Sequence, residues 1–370
     1  MEMILIEDCC EILDSKRIPI TAKNRIPGPY PYYGANGIQD YVDNYIFDDE
    51  LVLLAEDGGN FGSTEKPIAY RVSGKCWVNN HAHVLKPRKG IDVDYLCYSL
   101  MFYDTNGLVN GATRQKLTQS TLKKMSIPKR TVKQQLQIVQ ELNTIKKLIT
   151  ARKQELQKLD DLIKARFVEM FGDPVLLTKK WNMKSVESVC KDIYGGGTPS
   201  KAHPEYYEYG DIPWVSSKDM KTDVITDSQI KINQLGVDNS TAKLVPVGSV
   251  IMVIRSGILK HTLPVAINAV PITVNQDLKV FIAGKDILPR FLAIQFKMLE
   301  RDILSGVRAV TADNIEFNSL KQREIIVPPI ELQKQFVEFL EQIDKSKATV
   351  QKALDETQLL FDSLMQQYFG

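Results

Sequence analysis

The chain has 370 residues, of which 44% are hydrophobic and 25% are charged, and its formal net charge is +2. This length allows two domains with separate cores, and a charge so near neutrality excludes a uniformly basic nucleic-acid binder while leaving local basic patches open. The five cysteines are odd in number and form no C-x-x-C pair, which indicates reduced thiols rather than a disulfide framework.

The sequence carries no strong export or membrane signal. Its start, MEMILIEDCC, has neither a basic segment nor a sustained apolar core, so it is a poor signal peptide. The most apolar run, VIMVI from Val250, is far too short to cross a bilayer. We therefore expect a cytoplasmic protein without a membrane partner.

The first region, residues 1–127, is predicted to be a strand-rich head with a helix near residues 95–103. Residues 51–54 form an apolar strand signal, followed by the glycine-containing turn AEDGGNFGS. His81 and His83 alternate along a predicted strand, so both could face one metal ion. Because no third ligand is near them in sequence, we favour packed or hydrogen-bonding histidines and predict no metal site.

A long helix is predicted over residues 128–172, because apolar residues recur every seven positions and no Gly or Pro interrupts them. A second apolar series lies beside this seam and is interrupted by Arg152 and Arg166. The seam consists of Leu142, Ile149, Leu156, Ile163 and Met170, and the second series of Ile138, Ile145 and Leu159.

The second head, residues 173–326, repeats signals of the first. A strand is predicted at residues 250–254 and a helix at residues 289–302. Aligning the two heads matches Val78 and Asn79 with Val274 and Asn275, and it also matches Tyr95 and Leu96 with Phe291 and Leu292.

The second long helix is predicted over residues 327–370. Apolar residues recur every seven positions along it, except that one position of this seam is the polar residue Thr357. The other seam residues are Phe336, Ile343, Val350 and Leu364, and the stripe is widened by Phe339, Leu340, Leu354, Leu360 and Phe361.

The two helical regions are copies of one another. IPKRTVKQQ at residues 127–135 is repeated as VPPIELQKQ at residues 327–335, which aligns Pro128 with Pro328. Both copies end in Phe-Gly, so this alignment implies a two-residue difference in length. The expected fold class is α+β: two β-rich heads separated by two long antiparallel coiled-coil helices, with a pseudo-two-fold internal repeat. Two amphipathic helices in separate globular cores are the alternative.

This order of head, helix, head and helix resembles the specificity subunit of type I restriction–modification systems, over essentially the whole chain. In the first head the resemblance lies in YPYYGANGIQDYVDNYIF, LLAEDG and NNHAHV. In the second it lies in GGGTPSKAHPEYYEYGDIPWVSSKDM, IRSG and VNQDL, and the PPIELQKQ helix starts resemble the conserved helical regions of the family.

The resemblance implies that each head is a target recognition domain for one half of a bipartite sequence in double-stranded DNA, with the helix pair as spacer. It further implies two methylase subunits that use S-adenosylmethionine, and motor-nuclease subunits that use ATP and Mg²⁺. The chain itself would need no cofactor. One departure from an even repeat is that the second helix lacks the basic run of the first, so the two docking faces for partners need not be equivalent.

A basic segment leads into the first helix. No acidic residue occurs between Asp104 and Glu141, and NGATRQKLTQST adds hydroxyl and amide groups there. Such a segment suits contacts to DNA phosphates, which give affinity without sequence choice, although a solvated face at a helix start is the simpler alternative. The basic residues are Arg114, Lys116, Lys123, Lys124, Lys129, Arg130 and Lys133.

Sequence choice requires side chains that reach base edges, and Arg, Asn and Gln do so with paired hydrogen bonds. Candidates lie in Gly-, Pro- or Ser-rich segments that we expect to be loops. Asn79 and Asn275 have an alternative role as internal braces, because both heads carry them. The DNA-binding candidates are Lys23, Arg25, Tyr32, Tyr33, Asn36, Asn60, Asn79, Arg114 and Lys116 in the first head, and Thr198, Ser200, Lys201, Ser216, Lys218, Arg255, Lys260 and Asn275 in the second.

Catalytic motifs are missing from the sequence. There is no Asn/Asp-Pro-Pro-aromatic motif for amino methylation, and GGGTPSK has the wrong spacing for a phosphate-binding loop. We therefore expect a non-catalytic chain. Two alternatives remain open: a protein-binding scaffold with two β-rich adaptor heads on a coiled-coil rod, and a recognition region detached from a fused type II restriction–methylation enzyme.

Overall fold

The computed structural model of the chain describes residues 2–111, 114–306, 308–309 and 313–370. The chain folds as two units, one formed by Met1–Gln154 with Gln351–Gly370 and the other by Glu155–Val350. Each unit combines β-sheet with helices, which confirms the α+β class. Within the described ranges, no helix is both long and apolar enough to span a bilayer.

A six-stranded sheet in the order β2-β7-β5-β6-β3-β4 forms the centre of the first unit. Its neighbours are antiparallel except for β3 and β6, which run parallel. The strands are β1 Met3–Leu5, β2 Cys10–Ile12, β3 Pro27–Gly34, β4 Gly37–Val42, β5 Phe47–Ala55, β6 Ala69–Val78, β7 Ala82–Pro87 and β8 Ser126–Pro128. The helices that begin in this unit are α1 Ile6–Cys9, α2 Val93–Met101, α3 Gln119–Lys124 and α4 Val132–Phe171.

The core of the first unit follows from its sequence pattern. Residues 51–55 are fully buried, as expected of a central strand, which is a continuous apolar run when neither face meets water. Helix α2 packs against β5 and β6. It begins where the Asp92 side chain accepts a hydrogen bond from the Tyr95 amide at 2.9 Å, which satisfies one of the free N–H groups of the first turn.

The second unit has a five-stranded sheet, β10-β17-β14-β15-β12, and a three-stranded sheet, β13-β11-β16. The central strand β14 is again fully buried and α7 packs on it. The strands are β9 Met183–Ser185, β10 Cys190–Gly195, β11 Ile212–Val215, β12 Val224–Ile225, β13 Lys231–Ile232, β14 Val250–Val253, β15 Val265–Asn268, β16 Thr273–Val274, β17 Leu278–Ala283, β18 Arg308–Ala309, β19 Asp313–Asn314 and β20 Glu324–Ile326. The helices are α5 Val186–Val189, α6 Gln234–Asp238, α7 Pro289–Met298, α8 Glu300–Ser305, α9 Phe317–Gln322 and α10 Ile330–Phe369.

The internal repeat is visible in the way each unit starts and ends. In the first unit β1 pairs antiparallel with β8, and in the second β9 pairs antiparallel with β20. In both units the first strand leads into a one-turn helix and then into a strand of the main sheet, while the last strand leads into a long helix. The same elements therefore begin and end both units, although the sheets between them differ.

The structure corrects the register of the repeat. Both long helices have 40 residues. Pro128 ends β8, whereas the equivalent strand β20 ends at Ile326, so the counterpart of Pro128 is Ile326 and not Pro328. The alignment based on prolines, and the difference in length that it implied, were wrong because strand pairing, not proline, fixes where each helix begins.

The two long helices pair antiparallel within each unit. In the first unit, Tyr368 on α10 donates a hydrogen bond to Glu141 on α4, close to the start of α4. In the second unit the Lys347 ammonium lies 2.7 Å from Asp160, and the rings of Phe336 and Phe171 are 5.5 Å apart. Sequence positions thus run in opposite directions along the pair, as a coiled-coil seam predicts.

The predicted seam is mostly buried. Leu142, Ile149 and Ile163 on α4 are buried, as are Phe336 and Ile343 on α10. Leu360 does not widen the stripe, because its side chain is 50% exposed, so that prediction was wrong. Its neighbour Phe361 takes the buried position instead, since consecutive residues on a helix point about 100° apart.

Candidate nucleic-acid interface

Hydrogen bonds join several loops of the first unit into what we call loop cluster 1: Asn36, Asp57, His81, Arg114 and Lys116. The Gly58 amide bonds to the Gln115 carbonyl at 3.1 Å, and the Glu56 amide bonds to the His81 carbonyl at 2.9 Å. Asn36, at the β3–β4 turn, donates to the Gly58 carbonyl at 3.0 Å. The structure therefore brings together three of the predicted residues, Asn36, Arg114 and Lys116.

Charges in loop cluster 1 are arranged around Asp57 and its neighbour Glu56. Arg114 donates to Asp57 Oδ1 at 2.6 Å, and the same oxygen lies 2.7 Å from His81 Nδ1. The Lys116 ammonium lies 3.0 Å from Glu56. Gly58 has φ +62, a backbone conformation that favours glycine, and a Cβ atom there would lie 3.3 Å from the Arg114 Nε. The glycine thus lets the loop pass close under the arginine.

The remaining candidates of the first head are placed differently. Tyr32 and Tyr33 lie in strand β3 and not in a loop, and Tyr32 is only 1% exposed, with its hydroxyl donating to the Ile20 carbonyl at 3.2 Å. Arg25 covers the Tyr32 ring at 4.2 Å and pairs with Asp40 at 3.3 Å. Tyr32 therefore serves the core, because a buried ring offers no atom to DNA.

The last three DNA-binding candidates of the first head are Tyr33, Lys23 and Asn60. Tyr33 is half-buried and stacks on Tyr70 at 5.8 Å between ring centroids, and its burial raises the pKa of its phenol. Lys23 is exposed in a short 3-10 helix, Ala22–Asn24. Asn60 is half-buried in the loop that follows β5. Lys23 thus remains a prediction for DNA contact from an exposed position.

The second unit has a corresponding arrangement, loop cluster 2: Thr198, Arg255, Asn275, Gln276 and Asp277. Arg255 donates to Asp277 Oδ1 through Nε at 2.6 Å, and its Nη2 lies 2.6 Å from the same oxygen. Asn275 donates to Asp277 Oδ2 at 3.1 Å. Thr198 donates to the Gln276 side chain. Three predicted residues, Thr198, Arg255 and Asn275, therefore lie together.

The other candidates of the second head lie outside loop cluster 2. Ser216 is half-buried, with its hydroxyl bonded to Asp219 at 2.7 Å, which is a local turn contact. Ser200 and Lys201 are exposed, and Lys201 borders a shallow apolar depression with Tyr207 and Ile230. Exposed positions are also taken by Lys218 and Lys260.

Asn79 and Asn275 hold equivalent positions in the two units. Each follows a pair of parallel strands, and its amide bonds at 3.0 Å to the carbonyl of Tyr33 or Val215 on the neighbouring strand. Each side-chain oxygen accepts the amide two residues on, at 2.8 Å for Asn79 and 3.1 Å for Asn275. Since both are buried, these contacts match the bracing role given above as the alternative.

The basic segment is mostly exposed, with only Arg130 half-buried among its seven basic residues, but part of its charge is already paired. Lys123 and Lys124 are exposed at the end of α3, and Lys133 is exposed on the first turn of α4. Lys129 pairs with Glu2 at 2.5 Å, and Arg130 donates to the Tyr368 carbonyl at 3.4 Å. Within the stretch NGATRQKLTQST, Ala112 and Thr113 lie outside the described residues.

His83 belongs to a buried polar network and not to a site shared with His81. Its Nδ1 lies 2.6 Å from Asp14 and its Nε2 lies 2.9 Å from the Leu117 carbonyl. Asp14, Glu56 and His83 are close enough to share a metal ion. Arg17 and Lys116 already neutralise this group, with Arg17 at 2.6 Å and Lys116 at 3.0 Å from Glu56, so the donor set does not fit a cation.

Burial alone would raise the pKa of the Asp14 carboxyl. Hydrogen bonds from His83 and from the Val84 amide, together with the charges of His83 and Arg17, instead hold that pKa below its usual value. Asp14 is therefore an anion that the folded state stabilises.

The residues that sequence reasoning missed are the partners of the arginines. The sequence does not predict Asp57 and Asp277, because acidic residues do not suit phosphate contacts. The available signal is their position, since Asp57 lies in LLAEDG and Asp277 in VNQDL, two of the segments that carry the family resemblance.

Comparison with known proteins gives consistent matches. A family profile described as "Type I restriction modification DNA specificity domain" matches residues 1–160 and 178–357. The EcoR124I/EcoR124II specificity subunit of a type I restriction enzyme from Escherichia coli is 32% identical over 246 residues, which are 65% of this chain and 60% of that one. A Haemophilus influenzae chain carrying the name of a type I restriction enzyme specificity subunit is 28% identical over 215 residues, or 55% of each chain.

These alignments span little more than half the length of the two curated relatives. The crystal structure of the S subunit of a type I restriction–modification system from M. genitalium matches 100% of this chain and 96% of that chain, with a TM-score of 0.59 and 14% identity. That likeness shows a shared fold. Because the family profile covers both heads and most of both long helices, the chain belongs to the type I restriction–modification DNA specificity domain family.

Proposed function

We propose that the chain is the DNA sequence-recognition subunit of a type I restriction–modification complex. The head of each unit reads one half of a bipartite site in double-stranded DNA, and the helix pair sets the separation between the halves. Membership of the specificity family supports this proposal. The observation that carries it is that both heads present an exposed arginine fixed by an aspartate: Arg114, 59% exposed, on Asp57, and Arg255, 47% exposed, on Asp277.

The aspartate gives each arginine a defined direction. A guanidinium has five donors in a rigid plane, so bonds to a carboxylate through one edge leave further donors for guanine in the major groove. A free arginine would lose side-chain entropy on binding, whereas an arginine already held by a carboxylate loses less. This arrangement favours base contacts over loose attraction to phosphates.

In this proposal the chain carries no catalytic group or cofactor of its own. Two methylase subunits supply S-adenosylmethionine-dependent adenine methylation, and motor-nuclease subunits use ATP and Mg²⁺ to cleave unmodified DNA. The absence of a methylation motif and of a phosphate-binding loop from the sequence supports this division of labour. The complex acts in the cytoplasm, where both DNA and these partners are present.

Methylation profiling tests the proposal. We expect adenine methylation in host DNA at one split sequence when this chain is present together with methylase subunits, and its loss when the gene for this chain is deleted. Exchanging residues 1–125 for another head should change one half of the sequence and leave the other intact. A change in both halves would contradict the assignment of one head to one half.

A binding assay separates this function from that of a protein-binding scaffold. With methylase subunits present, a mobility shift on duplex DNA should weaken steeply between low and high salt, because phosphate contacts release counterions. A footprint should show two protected segments about one helical turn apart. A complex insensitive to salt, or one contiguous protected segment, would count against DNA reading by two heads.

A further inference from the structure

One glutamine near the start of each long helix is completely buried. Gln135 is the fourth residue of α4, and Gln333 is the fourth residue of α10. Both have 0% exposure, although glutamine is a residue that usually lies at the surface. Two equivalent buried amides in a duplicated chain indicate a common task.

In the first unit, the Gln135 amide bonds to the loop that precedes α2. Its Oε1 accepts the Asp92 amide at 2.7 Å. Its Nε2 donates to the Gly90 carbonyl at 3.0 Å and to the Arg130 carbonyl, just before α4, at 2.9 Å. One side chain thus joins the body of the head to the entry of the long helix.

The second unit repeats these bonds with different neighbours. Gln333 Oε1 accepts the Leu288 amide at 2.9 Å, just before α7. Its Nε2 donates to the Asp286 carbonyl at 3.0 Å and to the Pro328 carbonyl at 2.8 Å. All six partners are backbone groups, so the arrangement does not depend on which side chains each loop carries.

Glutamine suits this task because both amide hydrogens and the carbonyl oxygen are engaged. A buried amide that lost one partner would leave a polar group without a hydrogen bond, so the bonds hold together as a set. Each bond is directional, and three of them toward two separate segments fix both position and angle. An apolar residue of similar size would fill the space without fixing the angle.

We infer that Gln135 and Gln333 are positioning residues that set the direction in which each long helix leaves its head. This inference rests on the proposed function. It adds that these two residues restrict the number of base pairs that the complex accepts between the half-sites. A helix of 40 residues is about 60 Å long, so an angular error of about 5° at its start displaces its far end by about 5 Å. That displacement exceeds the roughly 3.4 Å rise of one base pair.

The test uses the full chain assembled with its methylase subunits. Duplexes carry the two half-sites, known from methylation profiling, at separations that differ by one base pair. The wild type should methylate one separation far better than its neighbours. In Gln135→Met and in Gln333→Met, we expect that preference to fall about tenfold while the sequence of each half-site stays unchanged.

Matched controls are Gln137→Met and Gln335→Met, the same substitution at exposed positions on the same helices. They should keep the wild-type preference. Amide exchange supplies a local readout, because the Asp92 amide should exchange faster in Gln135→Met and not in Gln137→Met. If a methionine variant fails to fold, Gln135→Glu keeps the acceptor for Asp92, removes the two donors and takes its place in the same assay.

The outcomes separate the two proposals. A sharp wild-type preference that stays equally sharp in the folded variants would overturn the inference and leave the proposed function standing. A flat wild-type profile would overturn both, because a chain without a preferred gap is not a two-headed reader. A loss of thermal stability with an unchanged gap preference would show that the glutamines only stabilise the fold, and it also overturns the inference.

Discussion

The Arg152 guanidinium on α4 donates hydrogen bonds to the Thr357 hydroxyl and to the Ala353 carbonyl on α10. In the sequence, Arg152 interrupts the second apolar series of the first long helix, and Thr357 interrupts the apolar seam of the second. The structure shows that the interruptions meet each other. Polar partners inside a helix pair specify one alignment of the helices, at some cost in stability compared with an apolar pair.

This contact predicts a non-additive pair of mutations. Arg152→Ala should destabilise the protein by about 2 kcal/mol, because it removes charge-assisted hydrogen bonds. The double variant Arg152→Leu with Thr357→Val should be as stable as the wild type or more so, since apolar residues replace both partners. Urea unfolding of the full chain measures both effects. A double variant that is less stable than Arg152→Ala would contradict this account.

Arg166→Ala is the matched control for that prediction. Arg166 interrupts the same apolar series but pairs with Glu169 at the surface, at 2.7 Å. An exposed pair contributes about 0–1 kcal/mol, so this variant should unfold close to the wild type.

A cluster of phenylalanines holds the helix pair to the head in the second unit. Phe336 is fully buried, and its ring lies 5.6 Å from that of Phe167 and 6.2 Å from that of Phe291. Phe336→Ala should cost about 3–5 kcal/mol, because it leaves a cavity among rings that cannot close it. Phe336→Leu should cost less. Thermal unfolding measures the difference, and equal melting temperatures for the two variants would count against tight packing here.

Stability should depend on Asp14 at acidic pH. Because its folded-state pKa lies below the usual 3.8, its contribution is complete above that pH and is lost as the pH falls through the lower folded-state value. Asp14→Asn should cost about 3 kcal/mol at neutral pH, since it removes the carboxylate from a buried pair. The stability difference between wild type and variant should shrink below pH 3.8. A difference that stayed constant down to low pH would contradict the role of this carboxylate.

Exposed lysines near the first helix should contribute affinity and not sequence choice. Substituting Lys123 and Lys124 with alanine should weaken binding equally on target and non-target DNA. Each phosphate that is no longer neutralised should reduce the slope of log K against log salt by about 1. Lys147→Ala, exposed on α4, is the control. If sequence preference changed while the salt slope did not, these lysines would not bind phosphates.

The fixed arginines should instead affect sequence choice. Arg255→Lys keeps the charge but loses the planar fork, so discrimination at one base pair of one half-site should fall by about 1–3 kcal/mol. Arg301→Lys, exposed on α8, should leave the methylated sequence unchanged. Methylation profiling distinguishes the two variants. If Arg255→Lys reduced base preference in both half-sites, the assignment of Arg255 to a single half-site would be contradicted.

Sequence patterns predicted the strongly periodic parts of this fold. The two long helices, the buried strands β5 and β14 and the repeated asparagines follow from spacing and from apolar runs, which reflect burial directly. The alignment on prolines failed because the two prolines lie in different elements. Pro128 is the last residue of β8, whereas Pro328 lies after β20, in the connection to α10. Tyr32 was misplaced because a Gly- and Pro-rich segment formed strand β3, where its ring faces the core.

The candidate site was harder to predict than the fold. Loop clusters form from segments distant in sequence, such as Asp57 with Arg114, and local patterns contain no information about which loops meet. Lys201 and Lys218 remain predictions from residue type and exposure. The aspartates that orient the arginines become apparent only once both partners are placed.

Asn79 and Asn275 use their side chains on contacts within their own units, and they do so beside the loops that present Arg114 and Arg255. The asparagines that brace each head and the arginine-bearing loops proposed to contact bases are therefore separate parts of that head. Mutations in the exposed loops can accumulate without disturbing the strands beneath them. If the proposed function holds, a substitution in these loops can change the DNA sequence that a head reads while the strands and the bracing asparagines keep their contacts.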